Sequence, residues 1–182
     1  QQTIHKGIAN VYEYNNTIGE ALYDLNGFLL NGKHFDTERS QKFVIYENYT
    51  RIVIVNVVNE SAPENSAFSG RGTGFFVKVP DTEGYIITNH HVISKAIDNE
   101  NTDIKVQTAE DYWTYDAEIV GWDQVADIAV IKITKQDNEE WKTLKFADRE
   151  DYNTGDPVVV IGHGMGMPWT TSQGHITHSN RF

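Results

Sequence analysis

The stretch "GTGFFVKVPDTEGYIITNHHVI", Gly72 to Ile93, sets the reading of the chain. Its two halves are rich in β-branched and aromatic residues. Pro80, Asp81, Thr82 and Glu83 separate them with turn chemistry, so the stretch reads as a β-hairpin. The second strand, "GYIIT", runs into Asn89, His90 and His91, and "HHVISKAI" then reads as a short helical turn. A chain with seven histidines sets two of them side by side at the mouth of a strand. Held at the end of a rigid strand, a histidine is suited to acid–base work, because its unperturbed pKa lies near neutrality. Taken alone, the pair is better explained as surface residues at a strand end, hydrogen-bonded to water.

The strand pattern continues in both directions. Upstream, "KFVIYE" and "TRIVIVNVVNE" read as strands and "SAPENSAFSGRG" as a loop. Downstream, "DIKVQTA", "YWTYDAEIVGW" and "DIAVIKI" follow with short polar connections. "NEEWKTLKFADRED" reads as a linker, and "GDPVVVIGHGMG" and "WTTSQGHITHS" close the chain as two more strands. Short strands at this spacing, without strand–helix alternation, indicate an all-β antiparallel sandwich or barrel. Residues 1–48 read as an N-terminal extension. Within it "TIGEALYDLNGFLL" carries Thr17 and Glu20 at capping-box spacing, and Ile18, Ala21, Leu22, Leu25, Phe28 and Leu29 fall on one helical face. A short docked helix is expected there, although Gly19 and Gly27 weaken it.

Asp127 opens the apolar run "DIAVIKI", which reads as a strand buried on both faces. A carboxylate at the head of such a strand needs a partner. A neutral histidine supplies one: Asp accepts the Nδ1–H, which fixes the tautomer and leaves Nε2 to take a proton. An exposed aspartate capping a turn is the plainer alternative.

Composition narrows the classes. The 26 acidic and 15 basic side chains leave a net charge of −11, which argues against nucleic acid as a partner. The absence of cysteine excludes disulfides, thiolate metal sites and a cysteine nucleophile. No apolar run approaches a membrane span, and Gln1 opens a polar stretch without a signal-peptide core. A metal site from His90, His91, His163, His175 and His178 is disfavoured, because His175 and His178, three apart on a strand, point to opposite faces. No cofactor or metal is expected.

Four segments in order resemble the trypsin-like serine proteases, and most closely the HtrA/Deg type. "GRGTGFFV" is similar to the strand before the family's histidine. "GYIITNHHVI" resembles its Thr-Asn-x-His-Val box, which places the base at His91 and leaves His90 in a variable slot. "ADIAVIKI" resembles its Asp-Ile/Leu-Ala box, which places the orienting acid at Asp127. "GDPVVVIGHGMGMPWTTSQGHIT" resembles the opening of its second barrel. The resemblance runs over roughly residues 50–182. It implies a trypsin-like β-barrel fold, with residues 49–146 as the first barrel and residues 147–182 as a linker and the first strands of a second. It further implies a serine endopeptidase using a Ser-His-Asp triad, a polypeptide substrate, a homotrimer, and a periplasmic or secreted location.

The departures are specific. His163-Gly164 stands where the family has Asn-Pro, and His175 where it has a hydrophobic residue. None of Ser40, Ser61, Ser66, Ser69, Ser94, Ser172 and Ser179 lies in the family's Gly-x-Ser-Gly turn. Residues 155–182 hold two or three strands at about 5–6 residues each, too few to close a second barrel. The expectation is therefore an N-terminal portion whose nucleophile lies on a C-terminal segment or fragment. The alternative is an inactive protease-like module that binds peptides or a protein partner.

Overall fold

The computed structural model describes residues 12–16, 19–23, 44–59, 68–109, 114–136, 139–148, 152–163 and 167–178. The chain divides into two compact units. One comprises Gln1–Glu47, Lys145–Val160 and Thr171–Phe182, the other Asn48–Leu144 and Ile161–Thr170.

In the first unit, β1 (Tyr12–Asn16) and β2 (Gly19–Tyr23) pair antiparallel, Tyr12 opposite Tyr23 and Asn16 opposite Gly19. This corrects the expected helix over this stretch, as far as it is described. The "YEYNN" run offers a backbone partner, and Gly19 makes a helix costly at that position. Leu25, Phe28 and Leu29 lie outside the described residues. "KFVIYE" also departs from expectation: residues 44–48 are helical and lead into a 3-10 turn, Tyr49–Arg51, whose guanidinium donates to Asn48 Oδ1 at 2.8 Å.

The second unit is a closed antiparallel barrel. Its strands are β3 (Ile52–Asn59), β4 (Phe68–Lys78), β5 (Glu83–Thr88), β6 (Thr102–Gln107), β7 (Thr114–Asp123) and β8 (Ile128–Thr134). They run in the spatial order β3-β4-β5-β8-β7-β6, and β6 closes on β3. Pairing throughout removes the exposed edges that a six-stranded open sheet would carry. Alternate residues fill the interior: Val53 and Val55 from β3, Phe76, Ile86, Ile104 and Val106, then Tyr115, Ala129, Ile131 and Ile133. β4 starts four residues earlier than the loop composition indicated, because Phe68–Arg71 find partners along Val58–Asn56.

The linker segment closes the barrel. Trp141 stacks on Phe76 at 5.0 Å between ring centroids and meets Tyr115 edge-on at 5.4 Å. Leu144 N–H donates to the Phe76 carbonyl at 2.8 Å. A Cβ on Gly84 would lie 2.6 Å from the Trp141 ring, so glycine is needed for this closure.

Two further strands follow, β9 (Pro157–Gly162) and β10 (Thr170–His175), which pair with each other. Beside them, Gly155 N–H donates to the Ile176 carbonyl at 2.7 Å with Gly155 at φ +99°, a left-handed turn that suits glycine.

Candidate active site

β5 delivers Thr88 and Asn89 to the barrel rim, where the helix His90–Asp98 begins. The helix forms because Val92, Ile93, Ala96 and Ile97 share an apolar stripe. Ile93 is fully buried and the others pack against the barrel core. The helix seats tightly on β4: a Cβ on Gly72 would lie 2.4 Å from Val92 Cγ2. Glycine at that position lets the helix bring His91 to the rim.

Asp127 arrives from the other side, on the turn between β7 and β8. Asp123 holds this turn by accepting from the N–H groups of Val125 and Ala126 at 2.8 and 2.9 Å. Asp127 itself is left-handed, at φ +54°. The strand it heads is not buried on both faces. Ala129, Ile131 and Ile133 point inward while Ile128 is exposed, as one wall of a barrel requires. The Asp127 side chain is 42% exposed and that of His91 70%. The aspartate therefore meets the histidine near water, and burial is not what forces the pairing.

The two side chains expected to meet do meet. His91 Nδ1 and Asp127 Oδ2 are 2.7 Å apart, and the His91 backbone N–H donates to Asp127 Oδ1 at 2.9 Å. That N–H, and after it the His91 ring, hold the Asp127 carboxyl below the usual carboxylate range. The carboxylate is thus ionised at neutral pH and acts as acceptor, so Nδ1 carries the ring proton and Nε2 is left basic. At such exposure the ion pair adds little stability; its effect is orientation.

Asn89 also belongs to this cluster, though sequence reasoning gave it no role. Its amide donates to the Asp127 carbonyl at 3.0 Å and to Oδ2 at 3.2 Å. The signal was present in the Thr-Asn-x-His-Val box. His90 starts the helix beside His91. Ser94 hydroxyl donates to the His91 carbonyl at 3.2 Å. His175 and His178 are exposed in the other compact unit.

His163 sits elsewhere in the barrel unit. Its backbone N–H donates to Thr73 Oγ1 at 2.9 Å, and its Nδ1 accepts from Trp169 N–H at 2.9 Å. Its Nε2 is buried near the Val53 carbonyl without a well-formed hydrogen bond. Burial pushes its pKa down to about 4, so the ring is neutral near pH 7.

Residues 72–181 match the family described as "Trypsin-like peptidase domain". The chain belongs to the trypsin-like peptidase domain family. It is 30% identical over 162 residues to "Serine protease Do-like HtrA" of Bacillus subtilis (strain 168), covering 81% of this chain and 34% of that protein. It is 38% identical over 111 residues to "Probable periplasmic serine endoprotease DegP-like" of Chlamydia trachomatis, covering 61% of this chain and 20% of that one. The chain thus spans about a third or less of these relatives' length. Among solved structures, that titled "Crystal structure of Deg5" aligns at a TM-score of 0.62 with 23% identity. It covers 78% of this chain and 64% of that chain, and shows the trypsin-like peptidase barrel as the shared fold.

Proposed function

We propose that this chain supplies the base and the orienting acid of a serine endopeptidase. The observation that carries the reading is the 2.7 Å contact between His91 Nδ1 and Asp127 Oδ2, on a chain of a family whose relatives carry protease names. In this reading His91 Nε2 takes the proton of a serine hydroxyl as its oxygen attacks a peptide carbonyl. His91 then returns the proton to the leaving amine, and an acyl-enzyme forms that water hydrolyses. Asp127 holds the ring and stabilises the imidazolium without taking its proton. The substrate is a polypeptide.

The 182 residues contain no Gly-x-Ser-Gly turn, so the serine is assigned to a segment outside them, in the same product or on a fragment associated with it. A homotrimer, and a periplasmic or secreted location, accompany the reading by similarity to the HtrA/Deg type and to relatives named periplasmic.

The test is labelling of the full-length gene product with a fluorophosphonate probe, which reacts only with an activated serine. Labelling that disappears in His91→Ala is the expected result. A folded product that takes no label overturns the reading and leaves a peptide-binding relative in its place, and labelling indifferent to His91→Ala overturns the assignment of His91 as the base.

A further inference from the structure

Asn89 occupies the N-cap position of the helix His90–Asp98, with extended backbone at φ −86° and ψ 146°. Asparagine is among the best residues there because its side-chain oxygen accepts an N–H from the second or third helical residue. Asn89 makes no such bond. The N–H of His91, the second helical residue, is instead taken by Asp127 Oδ1 at 2.9 Å. The Asn89 side chain turns away from its own helix and donates to Asp127, at the backbone carbonyl (3.0 Å) and at Oδ2 (3.2 Å).

The two residues have exchanged roles. Asp127 does the capping that Asn89 would normally do, and Asn89 fastens Asp127. The fastening addresses a real cost. Asp127 is left-handed at φ +54°, a conformation L residues rarely adopt, although aspartate and asparagine tolerate it better than most. With that backbone held, Oδ1 faces the His91 N–H and Oδ2 faces Nδ1 at the same time.

We infer that Asn89 is a positioning residue for the His91–Asp127 pair. Its amide, and not its suitability as a helix cap, is what the site requires. The inference rests on the reading of His91 as the base, but its consequences can be seen without activity. Serine caps helices about as well as asparagine, and threonine only somewhat less well. Neither carries an NH₂ group able to serve both the Asp127 carbonyl and Oδ2.

The experiment compares Asn89→Ser and Asn89→Thr with the parent, all as the full-length protein. Three quantities are read: the thermal midpoint, the downfield proton resonance of His91 Nδ1–H (assigned by its loss in His91→Ala), and kcat and KM on a peptide substrate. The expected result is a protein still folded at the assay temperature with at most a small drop in midpoint, a broadened or lost Nδ1–H resonance there, and a kcat lower by roughly 10- to 100-fold with KM little changed, the scale of a misplaced reacting group. A resonance and kcat like those of the parent in either stable variant overturn the inference. So does a resonance lost only in step with the thermal midpoint, since a purely structural role would produce that. If the parent itself shows no peptidase activity, the proposed function fails and the Nδ1–H resonance alone decides the role of Asn89.

Discussion

The Asp127 carboxylate grips His91 at two points, Oδ1 at the backbone N–H and Oδ2 at ring Nδ1, at 2.9 and 2.7 Å. One contact fixes where the residue begins in its helix and the other fixes how the ring turns. The same carboxylate sits at the positive end of the helix His90–Asp98, which favours its ionised form. A single side chain thus joins the β7–β8 turn to the helix and sets the protonation pattern of the imidazole.

Replacing that carboxylate by its amide separates shape from charge. In the full-length protein, Asp127→Asn keeps the volume but can present an NH₂ group to Nδ1, which favours the wrong tautomer. Peptidase kcat is expected to fall by about 10⁴-fold, the scale of a lost orienting acid in a Ser-His-Asp triad. Steady-state kinetics on one peptide substrate check this. A fall of less than about tenfold would mean the carboxylate does not direct the ring.

The same variant has a signature in acid. The Asp127 pKa is lowered on folding, chiefly by the His91 backbone N–H. Its contribution to stability is therefore complete above the ordinary carboxylate pKa of about 4 and is lost as pH falls through the lower folded value. The thermal midpoint of Asp127→Asn should decline less steeply than that of the parent between about pH 5 and pH 2. Parallel curves would contradict the lowered pKa.

His163 predicts a different acid dependence. Its pKa is about 4 in the folded protein, depressed by burial, against about 6.5 unfolded. Below about 6.5 the unfolded state binds the proton more readily, so stability drops as pH falls from about 6.5 to about 4. In His163→Asn the side-chain oxygen can still accept from Trp169 N–H, and this titration is gone. Whatever the loss of the buried ring costs at pH 7, the variant should lose less further stability than the parent across that window in thermal melts. Equal losses in both proteins would show that His163 is not the responsible group.

The seating of the helix can be tested by crowding it. Gly72→Val inserts a side chain where even a Cβ would lie 2.4 Å from Val92. Overpacking of this kind costs about 1–3 kcal/mol in denaturant unfolding. Peptidase activity should fall with it, because Val92 adjoins His91. Adding Val92→Ala should recover much of the stability. No recovery would place the strain somewhere other than the β4–helix contact.

Much of this architecture was legible in the residues because several signals agreed. The hairpin around Pro80–Glu83 forms as its turn chemistry indicates, with Glu83 N–H bonded to the Pro80 carbonyl at 3.1 Å. The strands "DIKVQTA" and "DIAVIKI" carry the β-branched residues that fill the barrel. The pairing of His91 with Asp127 followed from two boxes at family spacing, which no periodicity argument could have supplied. The failures came where backbone pairing and packing, near or far in sequence, override the local pattern. "TIGEALYDLNGFLL" contains a helical stripe, yet Gly19–Tyr23 pairs with Tyr12–Asn16. Ile128 to Ile131 in "DIAVIKI" are all apolar, yet Ile128 faces water. Trp141 lies in a stretch with no regular pattern, and only the fold shows that it covers Phe76. Asn89 stood in the Thr-Asn-x-His-Val box without a role of its own, because its partner is 38 positions away.

The most direct test of the account is cleavage of an unfolded protein substrate by the full-length product, with and without His91→Ala, followed by mass spectrometry of the peptides. The account predicts peptide-bond cleavage by the parent and a rate lower by at least about 10⁴-fold in a His91→Ala protein that remains folded. Cleavage by His91→Ala at the parent's rate would contradict it.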